Sequence, residues 1–131
     1  MASLAGYALA RFPFRGLPTR IEHWQMATDM GRAAAASLLA GRAAAPAFEP
    51  VPYFWSDQYD HKIQVIGSPQ PSDKAVVVDG SLEELHFVVL FGRGGRLSGA
   101  LGFSRPRALM AYRPFIERAA SFEEALKFKL S

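Results

Sequence analysis

Residues 84–103, ELHFVVLFGRGGRLSGALGF, read as two strands folded back on each other, and this stretch narrows the fold more than any other. Apolar side chains alternate over residues 84–91 and place Leu85, Phe87, Val89 and Phe91 on one side. The Gly-Arg-Gly-Gly-Arg run supplies the turn, because glycine accepts the positive φ of a tight hairpin. Residues 97–103 return as the partner strand. Two weaker β patterns come earlier: residues 62–67, with Ile63 and Val65 on one face, and the short apolar run 75–79. Together these predict a mostly antiparallel sheet.

Helical signals flank the strands. Thr-Arg-Ile-Glu at 19–22 reads as a capping box, in which Thr19 caps the following amides and Glu22 reaches back. A helix is expected over residues 20–40, closed by Gly41. Its small residues, Ala27, Gly31 and Ala33 to Ala36, allow close approach to other backbone but bury little area. Ser104 is expected to cap a helix to about residue 118, and a second box, Ser121 to Glu124, to open a short final helix. Helix, strands, then helices predict an α+β domain, a mostly antiparallel sheet packed against helices. Residues 1–18, broken by Pro13, Gly16 and Pro18, read as irregular, and residues 19–131 as one domain.

The 131 residues suffice for one real core. Lys and Arg outnumber Asp and Glu by only 15 to 12 and form no block, which argues against nucleic acid as a partner. The chain has no cysteine, which removes disulfides, thiolate metal sites and cysteine nucleophiles together. No apolar run approaches the roughly 20 residues needed to span a bilayer. The N-terminus lacks the basic region of a secretory leader, so the expected location is the cytoplasm. His23, His61 and His86 lack ligand partners at metal-binding spacing, so no metal site is expected. Gly92 and Gly94 start a G-x-G-x-x-G, but Leu97 occupies its third glycine position and the segment joins two strands, so it is no phosphate loop.

Two stretches remain unabsorbed: RIEHW at 20–24 and YFWSDQYD at 53–60. Trp24 and Trp55 are the two tryptophans, each beside carboxylates or amides. One reading packs both rings between helix and sheet, with Asp57 and Gln58 capping the next strand. The other is a site for a flat, partly polar molecule, since rings give stacking area and polar groups fix orientation.

RIEHWQMATDMGRAAAASLLAG, a short linker and VPYFWSDQYDHKIQVIG, in that order, resemble the C-terminal part of FAD-dependent, NAD(P)H-linked ferredoxin reductases. These are the putidaredoxin reductase type, which serve cytochromes P450 and Rieske dioxygenases. GSLEELHFVVLFGRGGRLSGALGFSRPRALMAYRPFIE continues the resemblance through residue 118. LAGYALARFP resembles a family segment in which an aspartate holds the FAD, with Tyr7 near that place here. The resemblance implies a helix N-terminus at Glu22 aimed at a flavin and Trp55 near the isoalloxazine. The glycine fingerprints of the family's two nucleotide-binding domains do not occur in these residues.

Two functions follow as expectations, beside a third reading, a fragment with no activity of its own. In the first, a stand-alone domain binds and converts a flat or polycyclic small molecule by cyclase- or isomerase-type acid–base chemistry. Glu22, His23 and Asp57 would then be the catalytic groups, and Trp24, Phe54, Trp55, Gln58 and Tyr59 would face the substrate. In the alternative, an accessory domain docks on a separate flavoprotein and covers its FAD, with the same aromatic residues facing the flavin. Neither reading has this chain holding a cofactor alone; FAD is expected only with a partner chain. A homodimer is a further expected way of covering the apolar surface.

Overall fold

A computed structural model describes residues 10–11, 18–19, 21–41, 43–44 and 48–129. The chain divides into two compact units, Met1–Pro50 and Val51–Ser131. In the first, strands β1 (Ala10–Arg11) and β2 (Pro18–Thr19) pair antiparallel, and helix α1 spans Trp24–Ala40. Most of the irregular segment expected over 1–18 lies outside the described residues; Ala10, Arg11 and Pro18 belong to the short strand pair.

The capping-box reading placed the start of α1 too early. Thr19 is a strand residue, and His23 holds the N-cap position, its carbonyl accepting from the Ala27 amide at 3.1 Å. Strand pairing of Pro18–Thr19 has overridden a local capping preference. Gly41 does end the helix: its φ of 78° with ψ of 162° suits a residue without Cβ. Met26 is buried in α1, against Ile21, Met30 and Phe48.

The second unit is built on β3 (Tyr53–Gln58), β4 (His61–Gly67), β5 (Lys74–Ser81), β6 (His86–Arg93) and β7 (Arg96–Phe103). They form one antiparallel sheet in the order β3-β4-β7-β6-β5. The β6–β7 hairpin turns at Gly94 and Gly95, whose φ values of 55° and 75° match a two-residue turn of the hairpin-favouring hand. Short helices α2 (Pro106–Met110), α3 (Arg113–Glu117) and α4 (Phe122–Lys127) follow and pack on β4, β6 and β7.

The face those helices cover is the opposite of the one on which alternation places Leu85, Phe87, Val89 and Phe91, the face expected to be the core. Cross-strand rows Ile66–Ala100–Leu90 and Gln64–Gly102–Val88 are buried. Ile63, Val65, Phe87, Val89 and Phe91 lie on the other face, half-buried, and Leu85 is exposed ahead of β6. His86 is exposed, yet it shares the phase of the buried Val88 and Leu90. FVVLF is apolar at both phases, so alternation cannot choose between them. Side-chain size chooses: a Cβ on Gly92 would sit 2.6 Å from the Phe122 ring, so this side admits a helix.

Leu109, Tyr112, Ile116, Phe122 and Ala125 complete the core from the helical side. Each full-sized aliphatic contributes about 1.5–3 kcal/mol by leaving water. The single helix expected after Ser104 is two. Pro114 lacks the N–H that would bond the carbonyl of residue 110, and its ring needs the same space, so the chain breaks between α2 and α3. Arg105, not Ser104, is the N-cap of α2, and Ser104 has φ 55°. The Ser121 box holds in part: its hydroxyl accepts from the Glu124 amide at 3.2 Å, while the Glu124 carboxylate turns to Arg118.

Candidate functional site: an aromatic edge hairpin

The unabsorbed stretch YFWSDQ is edge strand β3, joined to β4 by the two-residue turn Tyr59–Asp60. Its rings alternate. Tyr53 and Trp55 pair with Ile66 and Gln64 and therefore share the helix-bearing side. Their rings stack with centroids 5.6 Å apart and 28° between planes. Gln64 is buried, and its Nε2 donates to the Tyr53 hydroxyl at 2.6 Å, which locks the outer ring. The result is a flat aromatic pair at the sheet edge with one hydrogen bond fixing its orientation.

Phe54 points the other way, opposite Val65, and is 42 % exposed. Phe54 and Trp55 therefore cannot be two walls of one pocket, which corrects the grouping drawn from their adjacency. Asp57 Oδ1 meets Lys62 Nζ at 2.9 Å in an exposed pair across the hairpin. Gln58 Nε2 donates to Ser56 Oγ at 2.7 Å and does not cap the following strand. Tyr59, at φ 54°, stands fully in solvent at the tip.

Glu22, His23 and Trp24 belong to the first unit, whereas Asp57 belongs to the second. Glu22 is exposed and His23 half-buried at the N-cap of α1. Trp24 opens the helix at 73 % exposure. Tyr7 lies outside the described residues. Among the described residues, no group of three or more His, Asp or Glu side chains is placed to hold a metal.

Sequence reasoning missed a buried polar cluster. Arg93 grips Asp73 with two parallel bonds, Nε to Oδ1 at 2.7 Å and Nη2 to Oδ2 at 2.8 Å. Asp73 Oδ2 also accepts from Ser98 Oγ at 2.7 Å and the Gln70 amide at 2.9 Å. The remaining Arg93 bond, Nη2 to the Ser68 carbonyl at 2.7 Å, ties the β4–β5 connection to β6. Arg93 beside Asp73 holds that carboxyl well below the usual carboxylate range, despite burial acting the other way. In sequence Arg93 stands in the Gly-Arg-Gly-Gly-Arg run and nothing nearby marks Asp73 as its partner.

This hairpin on this sheet is shared with known proteins. Residues 53–128 match the family described as Reductase C-terminal. Rhodocoxin reductase of Rhodococcus erythropolis is 32 % identical over 132 aligned positions, covering 93 % of this chain and 30 % of that protein. The ferredoxin–NAD(+) reductase component of the anthranilate 1,2-dioxygenase system of Burkholderia cepacia is 36 % identical over 110 positions, covering 82 % and 26 %. Among solved structures, the covalent putidaredoxin reductase–putidaredoxin complex aligns with a TM-score of 0.72 at 27 % identity, over 86 % of this chain and 26 % of that one. This chain spans only about 15–30 % of the length of the curated relatives it matches. The match over residues 53–128, with reductases 32 % and 36 % identical over most of this chain, makes it a member of the reductase C-terminal family, of the ferredoxin reductase type.

Proposed function

We propose that the chain serves a ferredoxin reductase system as a docking domain, seating on a flavoprotein and presenting the β3 edge to its flavin. The observation that carries this is apolar exposure in both units of a domain whose relatives are much longer. In the first unit Trp24, Leu38 and Leu39 are 73 %, 73 % and 91 % exposed. In the second, Phe54 and Val77 are 42 % and 41 % exposed. On this reading the adjacent pair Leu38–Leu39 and the other exposed side chains are parts of surfaces that another chain covers. The reductase–putidaredoxin complex supports a ferredoxin as the third component.

FAD fits these residues in part. The stacked Tyr53–Trp55 pair offers a flat surface of the kind an isoalloxazine takes. A glycine-rich turn opening onto a helix, which would cradle the pyrophosphate, does not occur in the sequence. On this reading the nucleotide is held by a fold outside these residues. When bound, the flavin supplies the electron transfer; the residues of this chain supply stacking and exclusion of water. Acid–base conversion of a small molecule is the weaker reading, since Asp57 is paired with Lys62 in solvent.

The test is complementation in trans. Rhodocoxin reductase truncated before the segment that matches this chain is assayed for NADH-dependent reduction of rhodocoxin, with and without added chain. Restored turnover, lost with Trp55→Ala, supports docking. No restoration, together with no co-migration on a sizing column, overturns it.

A further inference from the structure

A cavity of about 680 Å³ lies beside α2, lined by none of the β3 aromatic residues, and neither the resemblance nor the docking reading uses it. Its size is that of a small-molecule site. Asp79 of β5 forms one wall with Arg105, whose Nε and Nη2 both reach Asp79 Oδ2, at 2.7 Å and 2.6 Å. That pair cancels its own charge. Arg107, exposed on α2, also lines the cavity and makes no ion pair or side-chain hydrogen bond among the described residues. The cavity therefore carries one net positive charge, displayed as a guanidinium fork.

The rest of the lining is apolar and set in place. Ala108 and Ala111 lie three residues apart on one side of the α2 turn, and their short side chains leave the space open. Facing them is Phe128, whose ring packs on Phe115 at 5.0 Å and edge-on to Tyr112 at 5.5 Å between centroids. At the rim, Ser104 is held in the left-handed region by its amide, which donates to the Lys62 carbonyl at 2.8 Å. Its hydroxyl, 3.1 Å from His61 Nδ1, is a second polar contact point.

We propose that this cavity binds a small organic monoanion, an aromatic or aliphatic carboxylate whose body lies over Ala108 and Ala111 against Phe128 and whose carboxylate engages Arg107. A guanidinium–carboxylate contact open to water is weak by itself, so recognition needs the apolar body as well as the charge. Inorganic anions and neutral aromatics each supply half of that match.

The experiment is an amide NMR titration of the full chain with 1-naphthoate, with acetate and with neutral 1-naphthalenemethanol. Saturable shifts with naphthoate, clustered at residues 79, 104–111 and 128, are expected. Arg107→Gln, an exposed substitution outside the core, should weaken the apparent Kd roughly fivefold. Ala111→Leu should block binding by filling the space while leaving the charge. Equal binding of the neutral analogue, an unchanged Kd in Arg107→Gln, saturation by acetate alone, or no saturable shift up to the solubility of naphthoate overturns the proposal. None of these outcomes depends on a flavoprotein partner.

Discussion

Asp73 shows how one side chain can hold distant parts of a sheet in register. Its carboxylate is inaccessible to water and takes four bonds: two from Arg93, one from Ser98 and one from the Gln70 amide. Because these bonds favour the ionised form, the folded chain binds a proton on Asp73 less readily than the unfolded chain does. The stabilisation is therefore full at neutral pH, and it falls away as the pH drops below the unfolded carboxylate value, near 3.9. Asp73→Asn should cost roughly 2–3 kcal/mol at pH 7, judged from hydrogen bonds to charged groups. The penalty should shrink in acid. Urea midpoints of both proteins at pH 7 and pH 3 check this; an equal gap at both pH values would contradict it. A second residue-scale outcome concerns Gly92, where a methyl group meets the Phe122 ring. Gly92→Ala should destabilise by about 1–3 kcal/mol through overpacking, read from the same midpoints.

Among the elements, the β6–β7 hairpin was the most legible. Gly94 and Gly95 sit at the turn because both need positive φ, and the sequence announces that need directly. Gly95→Val should cost about 1–2 kcal/mol, from the left-handed backbone penalty, measurable by thermal unfolding. The helices were less legible. The residue 19–22 box carried correct capping chemistry, but a strand pair claimed Thr19; a long-range pairing leaves no trace in a four-residue pattern. The helix after Ser104 was drawn through Pro114, although the ring of that proline is the reason α2 and α3 are separate. The choice of buried sheet face was hidden because residues 87–91 are apolar at every position, so it was decided by glycines facing α2 and α4. The candidate site was legible in composition and not in geometry. Tyr53, Phe54 and Trp55 were identified as a unit, but strand pairing sends Phe54 to the opposite face.

For the whole molecule, the proposal of docking makes α1 the element to test. Leu38 and Leu39 lie near its end in solvent, so Leu38→Glu with Leu39→Glu should leave the stability of the isolated chain within about 0.5 kcal/mol. The same pair should abolish rescue of the truncated reductase. Unfolding of the double variant would show instead that these leucines serve the chain's own core. The sheet adds a directional constraint of its own. At one border, the pairing of β5 with β6 slips by a residue between Val77 and Asp79, which twists that strand and breaks its row of outward amides and carbonyls. The other border, β3, keeps regular pairing with β4 along all six of its residues. Within this unit any incoming β-segment, whether from a client protein or from a neighbouring copy during concentration, is thereby steered to the tyrosine–tryptophan border, and edge-to-edge extension of the sheet is frustrated at the opposite one.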